Sequence, residues 1–540
     1  MRIKILSISF FSLFLCRILG TAQGYDERLE ALDILRYEFE IEIQDSSDRI
    51  QGMAKVSMRL LRAAPSVHLD LVAMKEGSKG MKVLSVEKEG IEIAYHHEGE
   101  DLEIQFPDSM AAASEFSIHI RYEGIPADGL TISNSAEDGR SFFGDNWPNR
   151  AHHWLPVVDH PADKAPVVFT ITAPSHYLVV ANGKLTGQSA LPDGRQISRW
   201  ENSEPLPTKV MVFGAADFAM ENVGNVGCIP VSTWVFRSDE KAGFHDYAQG
   251  KAILEWFIGH VDDYPWAKLA NVQSRTRYGG MENASCIFYS EKSVTGDASC
   301  EGLMAHEIAH QWFGNSASEA NWYHVWLSEG FATYWTHLYF ESQHGVEVFE
   351  KRMRDDRATV TGWEPTMTYA VVDPRIPDLT LLLNPNSYEK GGWVLHMLRH
   401  RLGDDLFFRG IKEYYSRFRY GNALTSDLQR VLEDVSGQDL QPFFDQWIYR
   451  PGHPKLDVAW AWNSRKKSAQ LEIKQLQNFG YFVFQLELAF KDSKGQPISE
   501  VNVEVNSTSQ EISIKLDQPP AEVELDPHTR LLFEGKARRK

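Results

Sequence analysis

The sequence predicts a multidomain α+β protein: a β-rich N-terminal part, a mainly helical middle and a small C-terminal β-sandwich. Three observations predict it. The chain has 540 residues, more than one hydrophobic core serves, so several domains are expected. Apolar residues alternate with period two over about the first 220 positions, take helical spacing from about 240, and return to period two after about 450. Hydrophobic residues make up 43% and aromatic residues 12%, enough to build cores and to exclude a disordered chain. The formal net charge of -19 excludes nucleic acid as a main partner, because phosphate binding needs a basic surface.

The first 22 residues carry Arg2 and Lys4, then an apolar run from Ile5 to Leu15, then the small residues Gly20, Thr21 and Ala22. This is the pattern of a secretory signal peptide cleaved near Ala22, and it predicts an exported protein, periplasmic or secreted. The run is short for a bilayer span, and no second long apolar run follows, so no stable membrane span is expected after cleavage. The segment has three basic residues and no acid, so its removal takes the charge from -19 to -22. Three cysteines follow it, Cys228, Cys286 and Cys300. An odd count excludes a disulfide framework; one bridge or buried free thiols both fit.

An N-terminal β domain is expected over 25–225. "YEFEIEIQ" at 37–44 puts Tyr37, Phe39, Ile41 and Ile43 on one face, and "AKVSMRL", "FSIHIRY" and "VVFTITAP" alternate likewise, the signature of an antiparallel sheet. The middle domain, 226–450, opens with "HDYAQGKAILEWFIGHVDDY" in helical spacing. Helical patterns recur at 300–313, 329–344, 388–402, 405–419 and 425–436, with Gly314 and Gly345 as stops. The last domain, 451–540, holds "YFVFQLELAF", "VNVEV" and "ISIKL", strands of a small sandwich.

The middle domain contains "MAHEIAH". On a helix, residues four apart share a face, so His306 and His310 can direct two imidazoles at one ion. Zn²⁺ accepts nitrogen and carboxylate oxygen in a tetrahedron. Glu307 stands one residue round from His306 and can take a proton from a water at the metal's open side. A third ligand is needed. Glu329, 19 positions after His310, stands at the start of the next helix behind a candidate cap, Ser328; a helix ending at Gly314, a loop and a returning helix can bring it to the metal, and beside the H-E-x-x-H this reading outweighs that of a first-turn glutamate favoured by the helix dipole. Upstream, "RYGGMENASCIFYSE" places Gly279 and Gly280 before Met281, Glu282 and Asn283. Glycines there allow close backbone approach. Either the segment is a tight turn before a strand, or it is an edge that binds an extended peptide while Glu282 meets a cation.

With these segments in view, the chain resembles the M1 zinc aminopeptidases. "GGMEN", "HEIAHQWFGN", "WLSEGFATYW" and "NSYEKGG" occur in the family's order. "WLPVVDHPADKAPVVFTITAP" is similar to its N-terminal signature and "QWIYRPGHPKLDV" to the end of its catalytic domain. The resemblance covers about residues 30–460. It implies a saddle-like β domain, a thermolysin-like zinc catalytic domain and a β-sandwich. It also implies one Zn²⁺ per chain held by His306, His310 and Glu329, Glu307 as general base, and Tyr388 as donor to the oxyanion. Gly279, Gly280, Met281, Glu282 and Asn283 would bind substrate, with Glu282 on the α-amine of a peptide with a free N-terminus. Many relatives add a helical C-terminal domain, so with the sequence ending at Lys540 a more open active site is expected.

Three positions depart from the family. Trp147 stands where many relatives have a second amine-binding Gln or Glu, with Asp145 and Asn146 as neighbours able to substitute. Thr336 stands at the place of a carboxylate that supports the ligands. Thr380 and Leu383 replace the acid and tyrosine of the epoxide-opening branch, so epoxide hydrolysis is not expected. A thermolysin-type endopeptidase and a non-catalytic peptide-binding protein on the same scaffold are the alternatives. The sequence leaves oligomeric state and preferred first residue open.

Overall fold

The computed structural model describes residues 27–75 and 77–540; the signal-like segment 1–22 lies outside the described residues. The architecture is multidomain α+β, with β sheets at both ends and a helical middle. It divides into two compact units. The first takes in the described residues up to Ser328 with Pro374–Thr380 and Tyr415–Leu424; the second takes in Glu329–Asp373, Leu381–Tyr414 and Thr425–Lys540.

In the first unit an eight-stranded sheet is built on Leu32–Gln44, with Tyr37, Phe39, Ile41 and Ile43 buried on one face as the alternation predicts. One pairing differs from the expected antiparallel region: Leu32–Gln44 runs parallel to Lys164–Pro174. The 119 residues between those two strands leave room for the crossover that a parallel pair requires. A four-stranded sheet holds Gly139–Gly144, and a five-stranded sheet ends in Cys286–Ser290 and the short edge strand Gly280–Met281.

Buried charges tie distant stretches of this unit together. Lys209 Nζ lies 2.6 Å from Glu319 Oε1, with both side chains out of solvent. Lys164 Nζ donates to the carbonyls of Ser316 and Gly421, both at 2.8 Å. Burial pulls the Lys164 ammonium well below its ordinary value and the Glu319 carboxyl above its own.

The second unit is helical as far as Trp447. Glu389–Leu402 and Thr425–Ser436 fall where the periodicity places them. Val346–Gly362, with only Phe349, Met353 and Val360 buried, is a helix without a predictive apolar stripe. Glycines let the helices Trp326–His344 and Glu389–Leu402 approach closely: a Cβ on Gly330 would sit 2.8 Å from Gly391 Cα and 3.2 Å from the Ser387 carbonyl oxygen. Lys390, buried beside them, donates to the Gly452 carbonyl at 2.9 Å, and burial pulls its ammonium down to about 7. The chain ends in a four-stranded and a three-stranded sheet. Among the described residues no helix is long and apolar enough to cross a membrane.

Candidate active site

The helix Glu301–Ala309 carries the first histidine, and the second follows it at the C-cap. The approach to the helix is fixed by Asp246, whose buried carboxylate accepts the backbone N–H groups of Thr295, Gly296 and Ala298 at 2.6–2.8 Å. One turn apart, His306 and His310 bring their Nε2 atoms to 3.1 Å. Two nitrogens bound tetrahedrally at ~2.0–2.1 Å would stand about 3.3 Å apart, so the pair fits a single Zn²⁺ with a few tenths of an ångström of adjustment. The Nδ1 of His310 lies 3.1 Å from the Phe313 carbonyl oxygen. A carbonyl only accepts, so this contact puts the proton on Nδ1 and leaves the Nε2 lone pair for a metal.

Ser328 Oγ also lies 3.1 Å from His310 Nδ1. This corrects the expectation that Ser328 caps a helix: the helix runs Trp326–His344, and Ser328 sits inside it. Gly314 permits the approach. Its φ is +120°, and a Cβ there would stand 2.2 Å from Ser328 Oγ. Glu329, also buried, is the next residue of that helix.

Glu307 is buried. A Cβ on Gly280 would lie 2.2 Å from Glu307 Oε1 and 2.5 Å from its Cδ, whereas one on Gly279 would meet nothing within 4 Å. The second glycine of GGMEN is thus the one the fold requires, and the group it admits is a carboxylate. Two residues on, Glu282 is 5% exposed. Its Oε1 has no hydrogen-bond partner among the described residues, a costly condition for a buried charge that lacks a cation. One donor atom each from Glu282, Glu307 and His310 lie within 4.8 Å of one another. Within this unit His306, His310, Glu307 and Glu282 are therefore assembled as a His/Glu site. In the second unit Tyr388 is the N-cap of Glu389–Leu402. The packing of Gly330 on Gly391 and Ser387 brings its stretch to the turn that contains Glu329.

Residues 34–210 match the peptidase M1 N-terminal domain and residues 247–447 match the peptidase family M1 domain. The chain belongs to peptidase family M1. Relatives with which it is similar include leucyl aminopeptidase of Saccharolobus solfataricus, 24% identical over 79% of this chain and 55% of that protein. Tricorn protease-interacting factor F2 of Thermoplasma acidophilum is 28% identical over 70% and 49%, and glutamyl aminopeptidase of Rattus norvegicus 23% over 82% and 49%. The chain spans about half the length of these M1 relatives.

The departures resolve as follows in this M1 chain. Asp145 is held by Arg150 at 2.6 Å and accepts the Arg277 N–H at 3.1 Å. Asn146 donates to the carbonyls of Thr208 and Met211 and accepts the Trp154 N–H. Both are committed to the scaffold. Trp147 is 2% exposed and packs edge-on against Tyr278 and Trp322, with ring centroids 6.1 and 6.0 Å away. Thr336 donates to the Ala332 carbonyl at 2.7 Å within its own helix. His152 pairs with Asp159 at 2.8 Å. Cys228, Cys286 and Cys300 are free thiols. Sequence reasoning missed Gln311 and Asn315, which both contact the Glu282 backbone; they lie beyond the end of the helix Glu301–Ala309, where helical spacing points to no partner.

Proposed function

We propose that the chain is a zinc-dependent aminopeptidase that removes single residues from peptides with a free N-terminus. The observation that carries this reading is the placement of Glu282 beside Glu307 and His310, donor atoms within 4.8 Å. One extended residue spans about 3.3–3.6 Å. A substrate amine on Glu282 therefore leaves room for one residue before the carbonyl that a water held by Glu307 attacks. The unpartnered Glu282 oxygen suits an ammonium, the charge that a free N-terminus supplies.

His306, His310 and Glu329 would hold one Zn²⁺ per chain. The fit of the two Nε2 atoms supports this, as does the contact of Ser328, which precedes Glu329, with His310. When bound, the ion supplies Lewis acidity that polarises the scissile carbonyl and acidifies a water. Glu307 takes the proton of that water and delivers it to the leaving amine. Tyr388 donates its hydroxyl to the oxygen that gains charge in the transition state. Gly279, Gly280, Met281 and Asn283 line the edge along which the substrate backbone lies. An amine anchor so close to the base disfavours an endopeptidase, which needs that side of the groove open. The signal-like segment supports an exported protein, periplasmic or secreted.

The test compares an aminoacyl anilide with its N-acetylated form, with and without chelator. Cleavage of the free form alone, abolished by chelation, with one zinc per chain lost in His306→Ala, is the expected result. Equal cleavage of both forms would favour the endopeptidase reading, and no cleavage of either would favour a binding protein.

A further inference from the structure

Glu282 presents its carboxylate from a stretch with little regular structure. The edge strand Gly280–Met281 stops just before it, and Met281 is the last residue in register with the neighbouring strand, opposite Phe288. Three residues after Glu282, Ser285 has a left-handed φ of +62°, a conformation that a serine keeps only when its surroundings hold it. The ladder does not hold the Glu282 carbonyl. Two side-chain amides do: Gln311 Nε2 donates to it at 2.7 Å and Asn315 Nδ2 at 2.6 Å. Gln311 grips the same stretch a second time, its Oε1 accepting the Ser285 N–H at 2.9 Å. Both amides are fully buried.

These two residues directly follow the metal-ligand candidates. Gln311 is adjacent to His310, and the Asn315 N–H donates to the His310 carbonyl at 3.1 Å. The segment that fixes the histidines thus also fixes the backbone of the amine anchor, through short bonds with no solvent between them. Asp145 and Asn146 are engaged elsewhere and an aromatic ring stands at Trp147, so the aminopeptidase reading places the substrate amine on the Glu282 carboxylate.

We infer that Gln311 and Asn315 are positioning residues: they lock Glu282 in register with the His306–His310 segment and so fix the one-residue distance at which the chain cuts. The inference rests on the aminopeptidase reading above and deepens it. Neither residue touches the reacting atoms. Loss of a clamp lets Glu282 drift, so a free amine is bound less well and at the wrong distance. Substrates without an amine gain nothing from Glu282 and lose nothing when it moves.

The test uses the full chain with its zinc, as wild type, Gln311→Glu and Asn315→Leu. Gln311→Glu keeps the acceptor for Ser285 but removes the donor to Glu282; Asn315→Leu keeps the branched shape and the number of side-chain heavy atoms and removes the second donor. Two substrates are compared, alanyl anilide and the propionyl anilide that lacks only the amine. Each variant should lose about tenfold in kcat/KM on the free-amine substrate, mostly through KM. The rate on the propionyl anilide should stay within about twofold, so the ratio of the two falls about tenfold. Zinc content and thermal unfolding identify a variant that has failed to fold, and the other variant then decides. A proportional loss on both substrates, with the ratio intact, overturns the inference and leaves the two amides as packing. A wild type that does not distinguish the two substrates refutes instead the role of Glu282 and the aminopeptidase reading itself.

Discussion

Replacing Gly280 with alanine adds one methyl group, and its destination is known. The Cβ would stand 2.2 Å from Glu307 Oε1, 2.5 Å from Cδ and 2.7 Å from Cγ. Carbon contacts are comfortable near 3.5 Å, so the carboxylate must retreat by about 1.3 Å or the edge strand must move by as much. The edge strand is held to Cys286–Ser290 on its other side, and the carboxylate is the more mobile partner. A misplacement of about 1 Å at a reacting group costs on the order of 10² in rate, so kcat should fall about a hundredfold while zinc content is unchanged. The assay is steady-state kinetics on an aminoacyl anilide in a cycle with Glu307→Gln. If the methyl acts by displacing Glu307, Gly280→Ala has little further effect once the base is gone, because the two changes remove the same step. Independent, multiplying losses in the double variant would refute the reasoning, as would a Gly280→Ala enzyme of normal kcat.

Three further outcomes are expected. Glu307→Gln should keep zinc and lose roughly 10²–10⁴ in kcat, and Tyr388→Phe should lower kcat far more than it raises KM; an unchanged kcat in Tyr388→Phe would make Tyr388 a packing residue. Burial raises the Asp163 carboxyl to about 7, against an ordinary 3.8. The folded chain keeps this proton between those values while the unfolded chain releases it. This contribution to stability is full below about pH 4 and lost as pH rises through 7, up to about 4 kcal/mol at ~1.4 kcal/mol per unit. Asp163→Asn should flatten that fall in thermal unfolding between pH 4 and 8, and parallel curves for both proteins would refute it.

The strands were legible because half-buried strands alternate: Tyr37, Phe39, Ile41 and Ile43 face one way and are buried. His306 and His310 were legible because helical spacing fixes geometry locally. The parallel pairing of Leu32–Gln44 with Lys164–Pro174 was not, since local alternation carries no information about a partner more than 100 residues away. Val346–Gly362 escaped because three buried residues in seventeen make no stripe. Ser328 was misread as a cap because its partner, His310 Nδ1, comes from another helix and is admitted by Gly314. Glycines such as Gly280 and Gly330 could be suspected of close approach, but only coordinates say what approaches.

The buried pair of Lys209 and Glu319 bears on how this chain can be cut. Lys209 lies within the matched N-terminal domain, and Glu319 lies in the matched catalytic domain. Lys164 reaches from the same N-terminal stretch to the carbonyls of Ser316 and Gly421. A truncated protein that starts after residue 210 would keep Glu319 but lose the Lys209 ammonium that lies 2.6 Å from it and the cover that keeps it from solvent. The seam that separates the two domains in sequence is therefore a poor place to divide the polypeptide.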